Sequence, residues 1–201
     1  MDNAFLILIF LMTVVVHEVS HGLAAFALGD PTAKNEGRLS LNPLRHIHVF
    51  WTILFPGLLF WITGGRFLFG MAKPVPVNFF RLRNLRAGMV LVALAGPAAN
   101  LLIAAVLAFF WKRTGIEFLL FVVYLNLGLA VFNLVPVPPL DGSRLVAACL
   151  PVSWILRLFS FERFGILVVL FLYWQGILLK VVLAGMSLFS RLFSIPPLAW
   201  G

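Results

Sequence analysis

Long apolar runs separated by short polar clusters organise this chain. The first covers residues 4–28: Ala4 to Val16 is broken only by Thr13, and after a polar interruption the pattern resumes at Leu23 and continues to Leu28, before Gly29-Asp30-Pro31. About 20 apolar residues cross a hydrocarbon core, so this run predicts a spanning helix ended by Gly and Pro. Residues 88–111 predict a second, bounded by Arg86 and Lys112-Arg113, and residues 118–135 a third that runs into the Pro-rich stretch 136–139. Residues 164–190 predict a fourth, with Lys180 near its far end, while residues 145–159, cut by Pro151 and flanked by Arg144 and Arg157, predict a short interfacial piece.

Residues 47–70 are apolar enough to cross, yet Pro56-Gly57 and Gly64-Gly65 interrupt them twice, which suits a re-entrant hairpin held against protein. Met71-Ala-Lys-Pro-Val-Pro-Val-Asn78 then alternates Val and Pro and predicts a short extended element, either an edge that pairs with a substrate strand or a plain juxtamembrane linker. The expected fold is an all-α polytopic membrane protein with four spanning helices, a re-entrant segment and a short membrane-associated β element. It forms one membrane-embedded domain over 1–201, with a core at 4–144 and a C-terminal interfacial segment and helix at 145–201.

Composition agrees with this pattern: 62% of residues are hydrophobic, 11% are charged and the mean hydropathy is +1.06, which excludes a soluble globular domain. The net charge of +8 would point to nucleic acid in a soluble chain. Here the basic residues sit in short loops, where anionic lipid headgroups and membrane orientation account for them, so the lipid bilayer and not nucleic acid is the expected partner. Arg81, Arg83 and Arg86 are read as headgroup anchors in the same way.

The distribution of charge also bears on topology. If 47–70 spans, Lys and Arg divide eight to six across the membrane, leaving out Lys180. If it re-enters, residues 34, 38, 45, 66, 73, 81, 83, 86, 144, 157 and 163 share one side against 112, 113 and 191, which is eleven to three. That bias favours re-entry, with the end of the first helix facing the cytoplasm.

The polar interruption of the first run carries the chemistry. It reads His17-Glu18-Val-Ser-His21, and on a helix positions i and i+4 share a face, so both imidazoles can hold one zinc ion while Glu18 serves as general base toward a water. Ionisable groups at membrane depth cost about 2–3 kcal/mol each even on the mildest scales and mark function. Cys149 is the sole cysteine, which excludes an internal disulfide and a Cys-based zinc cluster.

A hydrolytic zinc site needs a third protein ligand and an open position. Asp141 lies in a Pro-rich stretch at the end of an apolar helix, in an Asp-Gly turn able to aim a carboxylate inward, although such turns are common at helix ends. Asp30 sits in the loop beyond the first helix. His46 and His48, at i and i+2, are candidates for a rival ligand, a supporting contact near the metal, a second metal site or ordinary interfacial roles. Asn100 and Asn126, set among apolar residues, fit hydrogen bonds between helices.

The pairing of intramembrane His17-Glu18-x-x-His21 with Asn133-x-x-Pro-x-Pro-x-x-Asp141-Gly142, and with Gly96-Pro97-x-x-Asn100 between them, resembles the site-2 protease family of intramembrane zinc metalloproteases. The three motifs fall in the expected order over residues 13–144. The resemblance implies one zinc per chain held by His17, His21 and Asp141, Glu18 as catalytic base, and Asn133 and Asn100 as substrate-binding or site-supporting residues. His48 departs from the His-x-Asp of related minimal members. With no loop long enough for a PDZ or nucleotide-sensing domain, the chain looks like a minimal form, expected in a prokaryotic cell membrane with its active site toward the cytoplasm. The expected partner is a membrane protein substrate, a single-span or signal-peptide-like segment, cleaved after local unwinding of its helix. The competing readings are a zinc-binding membrane protein without proteolytic activity, which intact Glu18 disfavours, and a metal transporter, whose pathway would show polar residues on several facing helices.

Overall fold

The protein was analysed as a computed structural model that describes residues 3–62, 64 and 73–198. Helix α1 spans Asn3–Ala27. Its hydroxyls are satisfied within the helix, Thr13 Oγ1 donating to the Ile9 carbonyl at 3.0 Å and Ser20 Oγ to that of Val16 at 2.7 Å, as an apolar setting requires. Gly29, at φ +108°, ends the helix without steric cost. A single turn, α2 (Thr32–Asn35), and a 3₁₀ turn at Pro43–His46 follow.

Val49–Leu54 is a π-helical stretch that leads into α3 (Phe55–Ile62). Residues 63 and 65–72, which include Met71 and Ala72 of the expected strand, lie outside the described residues. The base of this excursion is nevertheless closed, because the Lys73 N–H donates to the His46 carbonyl at 2.8 Å. His46 and Lys73, which flank the expected re-entrant run, are therefore neighbours.

Residues 73–78 are extended but join no sheet, and no β-strand occurs among the described residues. The expected β element is corrected on a simple ground. Pro74 and Pro76 have no N–H to give a ladder, and the N–H groups of Lys73, Val75 and Asn78 are taken by His46, Glu18 and Asp30.

After a 3₁₀ turn at Phe79–Arg81, helix α4 runs from Leu85 to Thr114. Asn84 caps it by accepting from the Ala87 N–H at 3.0 Å, and Gly115, at φ +65°, ends it. Its buried face includes the small residues Gly88, Ala93, Gly96, Ala104 and Ala108, where neighbouring backbones approach closely. Helix α4 packs most extensively against α1 and against α5 (Glu117–Asn133), which places the two sequence motifs of the first and second runs face to face.

The C-terminal part departs from the expected pattern. Residues 145–159 are not one interfacial piece: α6 covers Gly142–Ala148, and Pro151 then caps α7, which runs Val152–Trp174. The expected single helix over 164–190 is divided between α7 and α8 (Ile177–Leu192), bent by 80° at Gln175-Gly176, where Gly176 adopts φ +70°. Helices α1 and α4 are therefore long and apolar enough to cross a membrane, the α7–α8 pair is a third candidate, and α5 is apolar but shorter at 17 residues.

Close backbone approach fixes how α7 sits. A Cβ at Gly165 would lie 2.4 Å from the Pro138 carbonyl oxygen, whereas one at Gly128 would meet only the Met186 thioether at 3.7 Å. Gly165→Ala should therefore lower the thermal midpoint of the detergent-solubilised protein, at a cost of about 1–3 kcal/mol. Gly128→Ala should leave it unchanged or raise it. Equal midpoints for the two variants would contradict this packing.

Candidate metal centre

The two imidazoles of α1 lie on one face, their centroids 4.7 Å apart and their rings nearly perpendicular. The Asp141 carboxylate reaches them from the turn between α5 and α6. That turn is held by its own bonds, Leu140 N–H to the Val137 carbonyl at 2.9 Å, Ser143 Oγ to the Leu140 carbonyl at 2.7 Å and Arg144 N–H to the Asp141 carbonyl at 2.8 Å. Gly142 is required there, since a Cβ would fall 2.2 Å from the Leu134 carbonyl oxygen. Asp141 Oδ2 sits 3.1 Å from His17 Nε2 and 3.2 Å from His21 Nε2, and the two Nε2 atoms are 3.1 Å apart.

The outer partners decide which ring nitrogens face inward. His21 Nδ1 donates to the Val92 carbonyl at 2.6 Å, and His17 Nδ1 donates to Asn100 Oδ1 at 3.1 Å. With both protons on Nδ1, each Nε2 presents a lone pair. Two lone pairs and a carboxylate oxygen thus converge with no proton among them, an arrangement that repels itself unless a cation lies between. Tetrahedral zinc with N and O ligands holds them about 3.3 Å apart, close to the observed triangle, and three protein ligands with one open position is the pattern of a catalytic rather than a structural site. Gly96 leaves room for it: a Cβ there would lie 2.4 Å from His21 Nε2 and 2.7 Å from His17 Nε2.

Among the described residues, His17, His21 and Asp141 form the one group that could hold a metal ion. Glu18, the next residue on α1, accepts the Val75 N–H at 2.8 Å through Oε2. His17, Glu18, His21 and Asp141 all line one cleft of 1770 Å³, whose walls include Leu11, Val14, Phe121 and Phe132 and whose lining also carries Lys73, Arg144 and Glu162. Arg144 pairs with Glu162 and lies over the Phe159 ring at 4.3 Å.

The other candidate residues separate. Asn100 is fully buried on His17, whereas Asn133 lines the cleft and donates to the Leu129 carbonyl of its own helix. Asn126 likewise bonds its own helix, through the Val122 carbonyl, and does not bridge helices in the way expected of it. His46 is buried away from the ligand triangle, its Nε2 donating to the Ser40 carbonyl at 2.8 Å. His48 lines the cleft but is not in the ligand group. Sequence reasoning passed over the Val92 carbonyl and the Val75 N–H, since backbone groups leave no signature in residue type.

Purified protein should hold one zinc per chain. His17→Ala and His21→Ala should lose it, Asp141→Asn should weaken it, and Asn100→Leu, which frees the His17 ring, should cost about 10–100-fold in affinity. Metal analysis after dialysis against a graded chelator measures this. Full zinc affinity in Asp141→Ala would remove Asp141 from the ligand set.

Comparison with known proteins agrees with this geometry. The model of the family described as Peptidase family M50 matches residues 110–175, the stretch that contains Asn133 and Asp141. "Putative zinc metalloprotease YwhC" of Bacillus subtilis is 34% identical over 210 residues, covering 94% of this chain and 91% of that protein. "Putative zinc metalloprotease Rip2" of Mycolicibacterium smegmatis is 35% identical over 144 residues, 66% of this chain and 52% of that protein, and Rip2 of Mycobacterium tuberculosis matches to the same extent. No solved structure matches. With zinc as the cofactor those names print, and with a ligand triangle that fits it, the chain belongs to peptidase family M50, the site-2 protease family.

Proposed function

We propose that this membrane protein is a multi-pass intramembrane zinc endopeptidase that hydrolyses peptide bonds within or next to transmembrane segments of membrane protein substrates. The observation that carries the reading is the convergence of His17, His21, Asp141 and Glu18 on one cleft whose walls are largely apolar. A bound zinc ion supplies Lewis acidity that activates water and polarises a carbonyl. His17, His21 and Asp141 hold it, while Asn100 and the Val92 carbonyl keep the imidazole protons on Nδ1. Glu18 takes the proton from the attacking water and passes it to the leaving amine. A helical substrate hides its carbonyls in i to i+4 hydrogen bonds, so it must unwind before one can reach the site.

In this reading α1, α4, α5 and the α7–α8 pair cross the membrane and residues 47–70 dip in and return, with the site opening toward the cytoplasm. Polar groups converge on one centre, which disfavours transport, and Glu18 at the centre disfavours a role without hydrolysis.

Glu18→Gln should retain zinc and lower turnover by about 10²–10⁴-fold on a panel of single-span substrates, because the amide keeps the shape but accepts no proton. A chelator should abolish wild-type cleavage. Near-normal turnover in Glu18→Gln would eliminate it as the base.

Topology is tested with single cysteines at 34, 73 and 112 in a Cys149→Ser background. An impermeant thiol reagent on intact cells should label position 112 and neither of the others. Labelling at 73 without labelling at 34 would show that the intervening segment crosses.

A further inference from the structure

Two charged residues outside the metal centre are buried and, among the described residues, have no opposite charge to pair with. Asp30 is fully buried and Arg38 is 5% exposed. Among the described residues neither forms a salt bridge, and each makes hydrogen bonds both to the backbone of the segment beside Glu18 and to its own surroundings. The Arg38 guanidinium donates to the carbonyls of Lys73 at 2.6 Å and Pro74 at 3.3 Å, and to that of Arg45. Asp30 Oδ2 accepts the Asn78 N–H at 2.6 Å, while its Oδ1 accepts from the Thr32 N–H and hydroxyl. Taking a charge out of water is costly unless it is compensated, and a linker of no consequence does not need two such anchors.

Two backbone donors lie between the anchors, Val75 and Val77, and of these the Val75 N–H is the one that meets Glu18. Pro74 and Pro76 carry no N–H and hold the residues before them extended, so Val75 offers the sole N–H of residues 74–76. It goes to Glu18 Oε2 at 2.8 Å. The segment is also drawn against α1 from its side-chain face: Val75 sits over Gly22, where a Cβ would fall 2.7 Å from Val75 Cγ1. Arg38 thus holds the segment on the N-terminal side of Val75, Asp30 on the C-terminal side, and Gly22 sets its distance from the helix that carries the base.

We infer that Asp30 and Arg38 are positioning residues for proteolysis: they seat residues 73–78 so that the Val75 N–H holds one oxygen of the Glu18 carboxylate and leaves the other for the attacking water. A general base oriented by a third group keeps one geometry from turnover to turnover. The inference rests on the proteolytic reading above and adds to it the group that orients its base.

The test uses the full-length, zinc-loaded protein with a single-span substrate, reading kcat and KM separately. Replacing Val75 by its α-hydroxy analogue turns the amide into an ester that cannot donate, with the side chain unchanged. This variant and Arg38→Ala should each lower kcat at least tenfold, with KM within twofold of wild type and zinc content unchanged. Arg38→Lys, which keeps a donor, should stay within threefold, whereas Asp30→Asn, which turns one of two accepting oxygens into a donor, should lower kcat by more than that. If Arg38→Ala fails to fold, the ester variant alone decides. An ester kcat within twofold of wild type, a rise in KM alone or a rise in kcat would each overturn the inference, the last by showing that the contact restrains the base. Amide exchange gives a readout without turnover: the Val75 N–H should exchange slowly in the wild type and at least tenfold faster in Glu18→Ala and Arg38→Ala. If the wild type cleaves nothing, the proteolytic reading falls, and exchange still judges the contact, because equal rates in wild type and Glu18→Ala would show that no such bond exists.

Discussion

The structure depends on holding three electron-pair donors within 3.2 Å of one another inside an apolar helix bundle. Such a cluster is repulsive on its own, and a cleft with largely apolar walls does little to relieve it by solvation. Everything near it removes a degree of freedom. The Val92 carbonyl and Asn100 fix the ring protons, the α5–α6 turn fixes the carboxylate, and the small-residue face of α4 lets the second helix lie close enough to supply both partners. The packing of α4 between α1 and α5 is therefore part of the chemistry, since it is α4 that determines which nitrogen of each imidazole looks inward.

The centre was legible in the sequence to the extent that it is local. His17 and His21 share a face because of helix periodicity alone, and Glu18 follows from the same spacing. Asp141 lies 124 residues from His17 and needed the neighbouring Pro and Gly pattern, read through a family resemblance, to be picked out from Asp30. Of the fold, the first three apolar runs correspond to α1, α4 and α5. The fourth did not survive as one helix, because Gly176 reads in sequence like Gly128 or Gly165, which lie inside helices, and only its φ of +70° marks the bend.

Arg38 and Asp30 show why charge in a loop is hard to interpret from composition. Arg38 entered the count of basic residues facing the cytoplasm, as any lysine or arginine between apolar runs would. Its side chain instead turns inward to gather three carbonyls from two strands of chain. Pattern analysis assigns a residue to a side of the membrane. It does not say whether the side chain ends in water or in protein. The same holds for the segment at 73–78, whose Val-Pro alternation reads as a strand although two of its residues have no N–H and three others have theirs committed elsewhere.

Gly96 carries a consequence for how such genes are interpreted. Every single-base missense change of a glycine codon installs a side chain, and at this position the first carbon of any side chain would stand 2.4 Å from a ligand nitrogen. No neutral first step leads away from glycine here. A descendant that preserved His17, Glu18, His21 and Asp141 but changed residue 96 would keep every ligand and the base while lacking the space for its metal, so an inactive paralogue can arise in one step without the loss of any residue that touches the metal or the water.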